Sequence, residues 1–435
     1  MPKRLLYVPT HRRCPEAIVS YMDESLFLSR EYGEEIPFLL VESFPADWIS
    51  EHAELLGRLS AERSVRAFHL TPEGRRTYVR ALVEAAADEP ADRDLLERLL
   101  IPQGVSYGAG PNIAALVAVA LDAQVLLRRD SDTHPTPRGE VLAFPGELEL
   151  RALTGPGVYF VASTYVGDPP LDRRDLLSAG PEFVRRIERE IKPGLSDREI
   201  DELLREYLVD EPARAYDSDF VTADRPGSVE MGVSCVKEIF RTVPEMPLTE
   251  MLGSDFIQRN LLLAVGYPVL FHSRKVHHRY GETRRGRSDF SAAVRYAVRD
   301  LRYLLFWRIW SELAARVAAR PEDFWRPPGE VDAKRFGTAA QQAVARQAPS
   351  LPGIAAEFGA AHLAAAAETD GDVAARLNAI GTATLDEVHR HVTEVADGFA
   401  DYCFLLERWP ALIAAASRSA GLVRALALVG EDRLG

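Results

Sequence analysis

Lysine is almost missing from this 435-residue chain: of 52 basic residues, only those at 3, 192, 237, 275 and 334 are lysine. Arginine therefore fills ordinary surface positions, and a cluster of arginines is less informative than usual. Positive charge as a whole is in deficit, with a formal net charge of −13. A general nucleic-acid binder would instead show a basic face. Cysteine is equally scarce: Cys14, Cys235 and Cys403 are widely scattered, with no metal-ligand spacing. That argues against a disulfide framework and suggests a reducing compartment. No apolar run reaches the roughly 18 residues of a membrane span. The opening stretch, Leu5 to Val8, reads as a strand and is too short for a signal peptide. A cytoplasmic protein is expected. No repeat of fixed period is present.

What is there is a soluble globular composition, 47% apolar and 27% charged. The length favours two domains, or one with a large appendage. Arg4 to Val8 reads as a buried strand running into Pro9-Thr10-His11-Arg12-Arg13 and a helix from Pro15 to Ser29. This is the start of a doubly wound nucleotide-binding unit. Ile36 to Val41, ending at Glu42, and Val65 to Leu70, with His69 near its tip, are the next strands. Two helical patterns between Thr71 and Leu100 break at Asp88-Glu89-Pro90.

The chain is organised around Val125 to His134. An apolar strand, Val125 to Leu127, runs through Arg128 and Arg129 into Asp130-Ser131-Asp132. Residues i and i+2 of extended backbone point to one side, so the two carboxylates can face one ion together. Ligands of open α/β sheets sit beyond the carboxyl ends of the strands, which places this pair at a substrate. Gly108 and Gly110 permit a tight turn before the preceding helix, and Asn112 sits near its start. Beyond Gly157 to Thr164, another strand, Leu176 to Leu208 is helical and Tyr216 to Ser234 reads as irregular and polar. Ser254-Asp255 opens the helix Phe256 to Val265, and a strand ending at His272 leads to His277, His278 and a basic loop from Arg279 to Arg287. Adjacent histidines in extended backbone face opposite ways, so His277 and His278 serve different surroundings.

This ordered set, from Pro9-Thr10 through Gly108 to Asn112, Asp130-x-Asp132, Asp255 and His277-His278, resembles a GT-A-fold, nucleotide-sugar-dependent glycosyltransferase over residues 4–285. Within that class it is similar to bacterial enzymes of secondary metabolism, some of which decorate aminocyclitol antibiotics. The resemblance implies an α/β fold: a GT-A, Rossmann-like mixed sheet flanked by helices. It implies a catalytic domain over 1–288, with a nucleotide-sugar half to about 134 and an acceptor half after it. A divalent metal, Mn²⁺ or Mg²⁺, would be held by Asp130, Asp132 and His278, with His277 the alternative ligand. Pro9, Thr10, Arg12 and Glu42 would touch the nucleotide. His69 either lines that site or is a satisfied core histidine. Gly108, Asn112, Arg129, Asp130 and Ser131 complete the donor surface, and Arg279 and Arg284 would close over the diphosphate. Asp255 would be the general base of an inverting transfer, from a nucleoside-diphosphate sugar, a UDP-hexose first, to a hydroxyl of a small acceptor such as an aminocyclitol or other natural-product intermediate.

Three alternatives stay open: a retaining enzyme of the same fold, a sugar-1-phosphate nucleotidyltransferase, and a nucleotide-sugar-binding protein without turnover. The nucleotidyltransferase normally carries a glycine-rich loop after its first strand, and Pro9 to Arg13 has no glycine. From 289 to 435 the chain is helical and alanine-rich. Its aromatic run, Tyr303, Phe306, Trp307 and Trp310, is expected to pack on the catalytic domain rather than to form a sugar platform. These helices are also a candidate homodimer surface.

Overall fold

The first strand alternates in a way that sets both faces of the fold. Leu5 and Tyr7 point one way and Leu6 and Val8 the other, and all four are buried. In a computed structural model this strand, β1 (Arg4–Thr10), is central to a mixed sheet. The structure describes residues 2–138, 141–167, 174–192, 195–206, 218–224, 229–279, 290–326 and 330–429.

The strands of the two larger sheets are β1, β2 (Phe38–Glu42), β3 (Ala67–Leu70), β4 (Val125–Arg129), β5 (Thr133–Pro135), β6 (Phe160–Ser163), β7 (Tyr165–Gly167), β8 (Val221–Ala223), β9 (Glu230–Lys237), β10 (Val269–His272), β11 (Val276–His278) and β12 (Leu428–Val429). Nine of them form one sheet in the order β8-β10-β6-β9-β4-β1-β2-β3-β12. The pairs β4·β1, β1·β2 and β2·β3 are parallel, and β9 is antiparallel to both β4 and β6. A second sheet, β5-β11-β7, lies over the carboxyl end of β4.

Helix α1 (Pro15–Tyr32) and helix α2 (Ile49–Arg63) cover the Leu6/Val8 face, through Ile18, Tyr21, Met22 and Leu56. On the Leu5/Tyr7 face lie α3 (Pro72–Ala86), α4 (Pro90–Leu100) and α5 (Ala109–Ala120). Each large apolar side chain buried there contributes roughly 1.5–3 kcal/mol. Next in chain order come α6 (Pro145–Ala152), α7 (Arg174–Ala179), α8 (Pro181–Ile191), α9 (Asp197–Glu206) and α10 (Ile257–Ala264).

The helical C-terminal region contains α11 (Phe290–Ala319), α12 (Ala333–Gln347), α13 (Leu351–Ala367), α14 (Gly371–Asp386), α15 (Val388–Ala416) and α16 (Ala420–Ala427). It shares the core of the Leu5/Tyr7 face: Trp409 is fully buried and its indole donates to the Phe240 carbonyl at 3.0 Å. β12 then adds to the sheet edge against Phe68 and Ala67. Among the described residues no helix is long and apolar enough to cross a membrane.

One expectation fails. Residues 230–234, read as irregular, begin β9, a central strand eight residues long. Gly232 and Ser234 look like loop punctuation, yet Gly232 is there for a steric reason. A Cβ at Gly232 would lie 2.1 Å from the Tyr165 hydroxyl and 2.3 Å from Asp130 Oδ2. Glycine inside a strand marks such a close approach.

Candidate functional site

A cleft opens beyond the carboxyl ends of β1, β2 and β4. The sheet order arranges its lining. The turn after β1 (Pro9, Thr10, His11, Arg12), Ser43 after β2, and Tyr107 and Gly110 at the start of α5 make one end. The tip of β4 makes the floor, and β9, the loop before α10 and helix α11 make the other end.

Parity decides what β4 presents. Arg128 and Asp130 share the cleft side, whereas Arg129 points into the opposite core. The Arg128 guanidinium joins two acids: Nε donates to Asp130 Oδ1 at 3.0 Å and Nη1 to Asp255 Oδ2 at 2.6 Å. Asp130 Oδ2 also accepts from the Tyr165 hydroxyl at 3.3 Å. The turn after β4 is pinned, because the Asp130 amide donates to the Gly232 carbonyl and the Thr133 hydroxyl to the Asp130 carbonyl.

Asp132 faces the cleft from that turn. Its Oδ2 lies 2.9 Å from Arg12 Nη1 and 3.5 Å from His278 Nε2. The His278 ring is held by stacking on Tyr165, with centroids 4.5 Å apart. Burial alone would lower the Arg12 pKa, but the facing Asp132 carboxylate together with Tyr107, Tyr296 and Asp130 more than offsets it and the pKa is raised. At the far end burial dominates and favours the neutral acids. Burial raises Asp255 even though Arg128 opposes this, and burial pushes the Glu230 carboxyl up to about 7 against the pull of Lys192 and His278.

Asp132 Oδ2 and His278 Nε2 are close enough for one divalent ion with bonds of about 2.0–2.2 Å to bridge. One carboxylate and one imidazole, open to the cleft, suit such an ion with substrate oxygens completing its shell. No third histidine, cysteine or acid converges with them among the described residues, because Asp130 is engaged by Arg128 and Tyr165.

Of the sequence candidates, Pro9, Thr10, Arg12, Asp130, Ser131, Asp132, Asp255 and His278 come together on this cleft. The Thr10 hydroxyl is occupied by the turn itself, bonding the Arg12 backbone. Other candidates lie elsewhere. Arg129 is fully buried between Glu24 and Glu149. Glu42 and His69 belong to a buried cluster with His52, whose Nε2 accepts from the Cys14 amide and whose Nδ1 therefore donates to Glu42 at 2.7 Å. Asn112 exchanges two hydrogen bonds with the Glu245 backbone. Gly108 is glycine because a Cβ would sit 2.1 Å from the Met246 carbonyl. His277 and Arg279 face an outer groove beside Glu16 and His134. Arg284 lies outside the described residues.

Sequence reasoning missed Arg128, Tyr165, Glu230, Arg259, Tyr303 and Trp307, all on the cleft. For Arg128 a signal existed: it shares parity with Asp130. The others reach the cleft only through long-range packing.

Among solved structures the chain is similar to mannosyl-3-phosphoglycerate synthase from Rubrobacter xylanophilus, at 16% identity over 69% of this chain and 74% of that one, with a TM-score of 0.36. It is also similar to the mannosyltransferase PcManGT from Pyrobaculum calidifontis, in complex with GDP-Man and Mn²⁺, at 12% identity over 96% and 87% of the two chains, with a TM-score of 0.37. Core-mannan synthase A from Aspergillus fumigatus matches at 10% identity over 55% and 61%, with a TM-score of 0.24. Likenesses this loose leave function to be argued from the cleft. No curated protein shows significant similarity. The chain belongs to a family of unknown function, DUF6271, whose model matches residues 3–157 and 146–425.

Proposed function

We propose that this DUF6271 member is a GT-A-like glycosyltransferase that moves a sugar from a nucleoside diphosphate to a hydroxyl of a small acceptor. The observation that carries the reading is Asp132, set on the cleft floor between Arg12 and His278. A carboxylate beside an imidazole and a guanidinium at the carboxyl end of a central strand suits a metal-bound diphosphate rather than a neutral ligand.

Arg12 is placed to meet phosphate oxygens, with the β1 turn and Ser43 beneath the nucleoside. Asp132 and His278, with Asp130 beside them, would hold Mn²⁺ or Mg²⁺, which as a Lewis acid neutralises charge on the departing diphosphate. Asp255 takes the acceptor proton in an inverting transfer. Arg128 anchors one of its oxygens and thereby orients the other, as a base in a catalytic triad is oriented by its third member. General base catalysis of this kind contributes roughly 10²–10⁴-fold.

A second reading of the base is favoured by one observation. Glu230 lines the same end of the cleft, and its carboxyl is pushed up to about 7, near the pH at which a base is most effective.

The test is nucleoside-diphosphate release from UDP-, GDP- and dTDP-sugars, UDP-hexoses first, with and without Mn²⁺. Metal-dependent hydrolysis of one donor is expected, reduced at least ~10²-fold in Asp132→Ala, the scale on which charge-stabilising groups act. If no donor binds under either condition, the reading is wrong.

A further inference from the structure

The four aromatics of α11 are put to two uses. At helical spacing Tyr303 and Trp307 share one face, and Phe306 and Trp310 the next. Phe306 and Trp310 are buried and stacked at 6.1 Å, with Phe306 on Phe399 at 5.4 Å. Tyr303 and Trp307 are only half-buried and open into the cleft, their ring centres 6.3 Å apart and tilted by 47°. The whole run packs on the core as expected, but the Tyr303/Trp307 face does so only in part and also lines the cleft.

Their position is tied to the chemistry. Gly253, two residues before Asp255, has φ +72°, and a Cβ there would lie 2.2 Å from the Tyr303 ring. The loop carrying Asp255 is thus seated on that ring. The cleft also continues from the β1 turn past Asp132 to these two rings, so the second molecule of a transfer, the acceptor, would enter at this end.

Charge at this end narrows the second molecule's class. Arg128 is spent on Asp130 and Asp255. Arg259 binds Asp224 through Nε at 2.8 Å and also through Nη2, and its Nη1 donates to Asn260. Lys192 acts on the Glu230 carboxyl. Among the described residues, both guanidinium groups here are matched by an acid. A phosphorylated acceptor would call for an unmatched guanidinium fork, whereas a ring of hydroxyls suits aromatic faces and paired polar groups.

We infer that Tyr303 and Trp307 form the acceptor subsite, and that it takes a non-phosphorylated polyhydroxylated ring, a sugar or a cyclitol, stacked by its C–H face. This rests on the glycosyltransferase reading, and it gives the C-terminal helices a direct part in specificity.

The test uses the full chain with the donor found above, and methyl α-D-mannopyranoside, methyl β-D-glucopyranoside, myo-inositol and 3-phosphoglycerate as acceptors. Transfer to at least one ring is expected. Trp307→Ala should raise the KM of that ring at least tenfold more than the KM of the donor, and Trp307→Phe should restore most of it. Equal effects on both constants, or a larger one on the donor, would overturn the assignment, as would transfer to 3-phosphoglycerate and to no ring.

Tryptophan-fluorescence titration of wild type and Trp307→Phe with the same compounds separates the two readings. Quenching by a ring in wild type alone, with no donor turned over, keeps the subsite and removes the transferase. Turnover without ring binding or transfer does the reverse.

Discussion

Arg128 and Arg129 are neighbours on one strand and live in opposite worlds. Arg129 is fully buried, as are its partners Glu24 and Glu149. It donates to both carboxylates and to the Arg128 carbonyl, while Glu24 also receives the Gly146 amide. Arg128 makes two ion pairs as well, but Asp130 keeps 23% of its side-chain surface and both groups line an open cleft. The first network closes on itself, pinning α1 and α6 to β4. The second leaves its acids facing a space that a ligand can enter. Saturation marks the structural cluster and incomplete engagement the functional one.

Removing the arginines breaks that comparison most directly. Arg129→Met leaves two buried carboxylates with no cation between them, a change that costs about 3–5 kcal/mol. Urea unfolding should show it, and adding Glu24→Gln with Glu149→Gln should recover much of the loss. Arg128→Met should cost less stability and more activity per folded molecule. If both variants lose equal stability while Arg128→Met keeps full turnover, the two faces are not different in kind.

The acids of the cleft give the next largest effect. Asp255→Asn should lower turnover by roughly 10²–10⁴-fold. Glu230→Gln should lower it less. Because the Glu230 carboxyl is held at about 7, its ionised form gains as pH rises through that value, so acceptor KM should fall across the same range. That inflection should vanish in Glu230→Gln. The reverse order of losses, with the inflection in turnover rather than in acceptor KM, would make Glu230 the base.

How much of this was legible in the sequence follows from what is local. Strand β1, the turn after it and the opposite facing of His277 and His278 depend on backbone parity and nearby residues, and these were readable. The parity expected to aim Asp130 and Asp132 at one ion was not kept, because β4 ends at Arg129, Asp132 sits in the turn after it and Asp130 is held by Arg128 and Tyr165. The alternation of strands and helices, with helices after it, followed from the order of apolar segments, and the mixed sheet from the family resemblance that the motifs carry. Strand β9 was not readable, since Gly232 answers a contact with Tyr165 and Asp130, residues far away in the chain. Glu42 and His69 misled for a similar reason. A polar residue at a strand tip has the same sequence signature whether it meets a ligand or, as here, His52. The split use of the α11 aromatics was hidden as well, because helical spacing gives two faces without saying which one meets a cavity.

The smallest expected effect concerns a buried group that neither network serves. His391 on α15 is fully buried, and its ring nitrogens make no hydrogen bond among the described residues. Burial, with Arg302 and Arg390 nearby and opposed only by Glu387, lowers its pKa to about 4. A histidine depressed in the folded state binds fewer protons there than in the unfolded chain. Its contribution is intact above the ordinary value near 6.5 and is lost as pH falls towards 4, at up to ~1.4 kcal/mol per pH unit. Melting temperature should therefore drop on acidification through this window, and His391→Leu should flatten the drop. An unchanged slope in His391→Leu would place the acid sensitivity elsewhere.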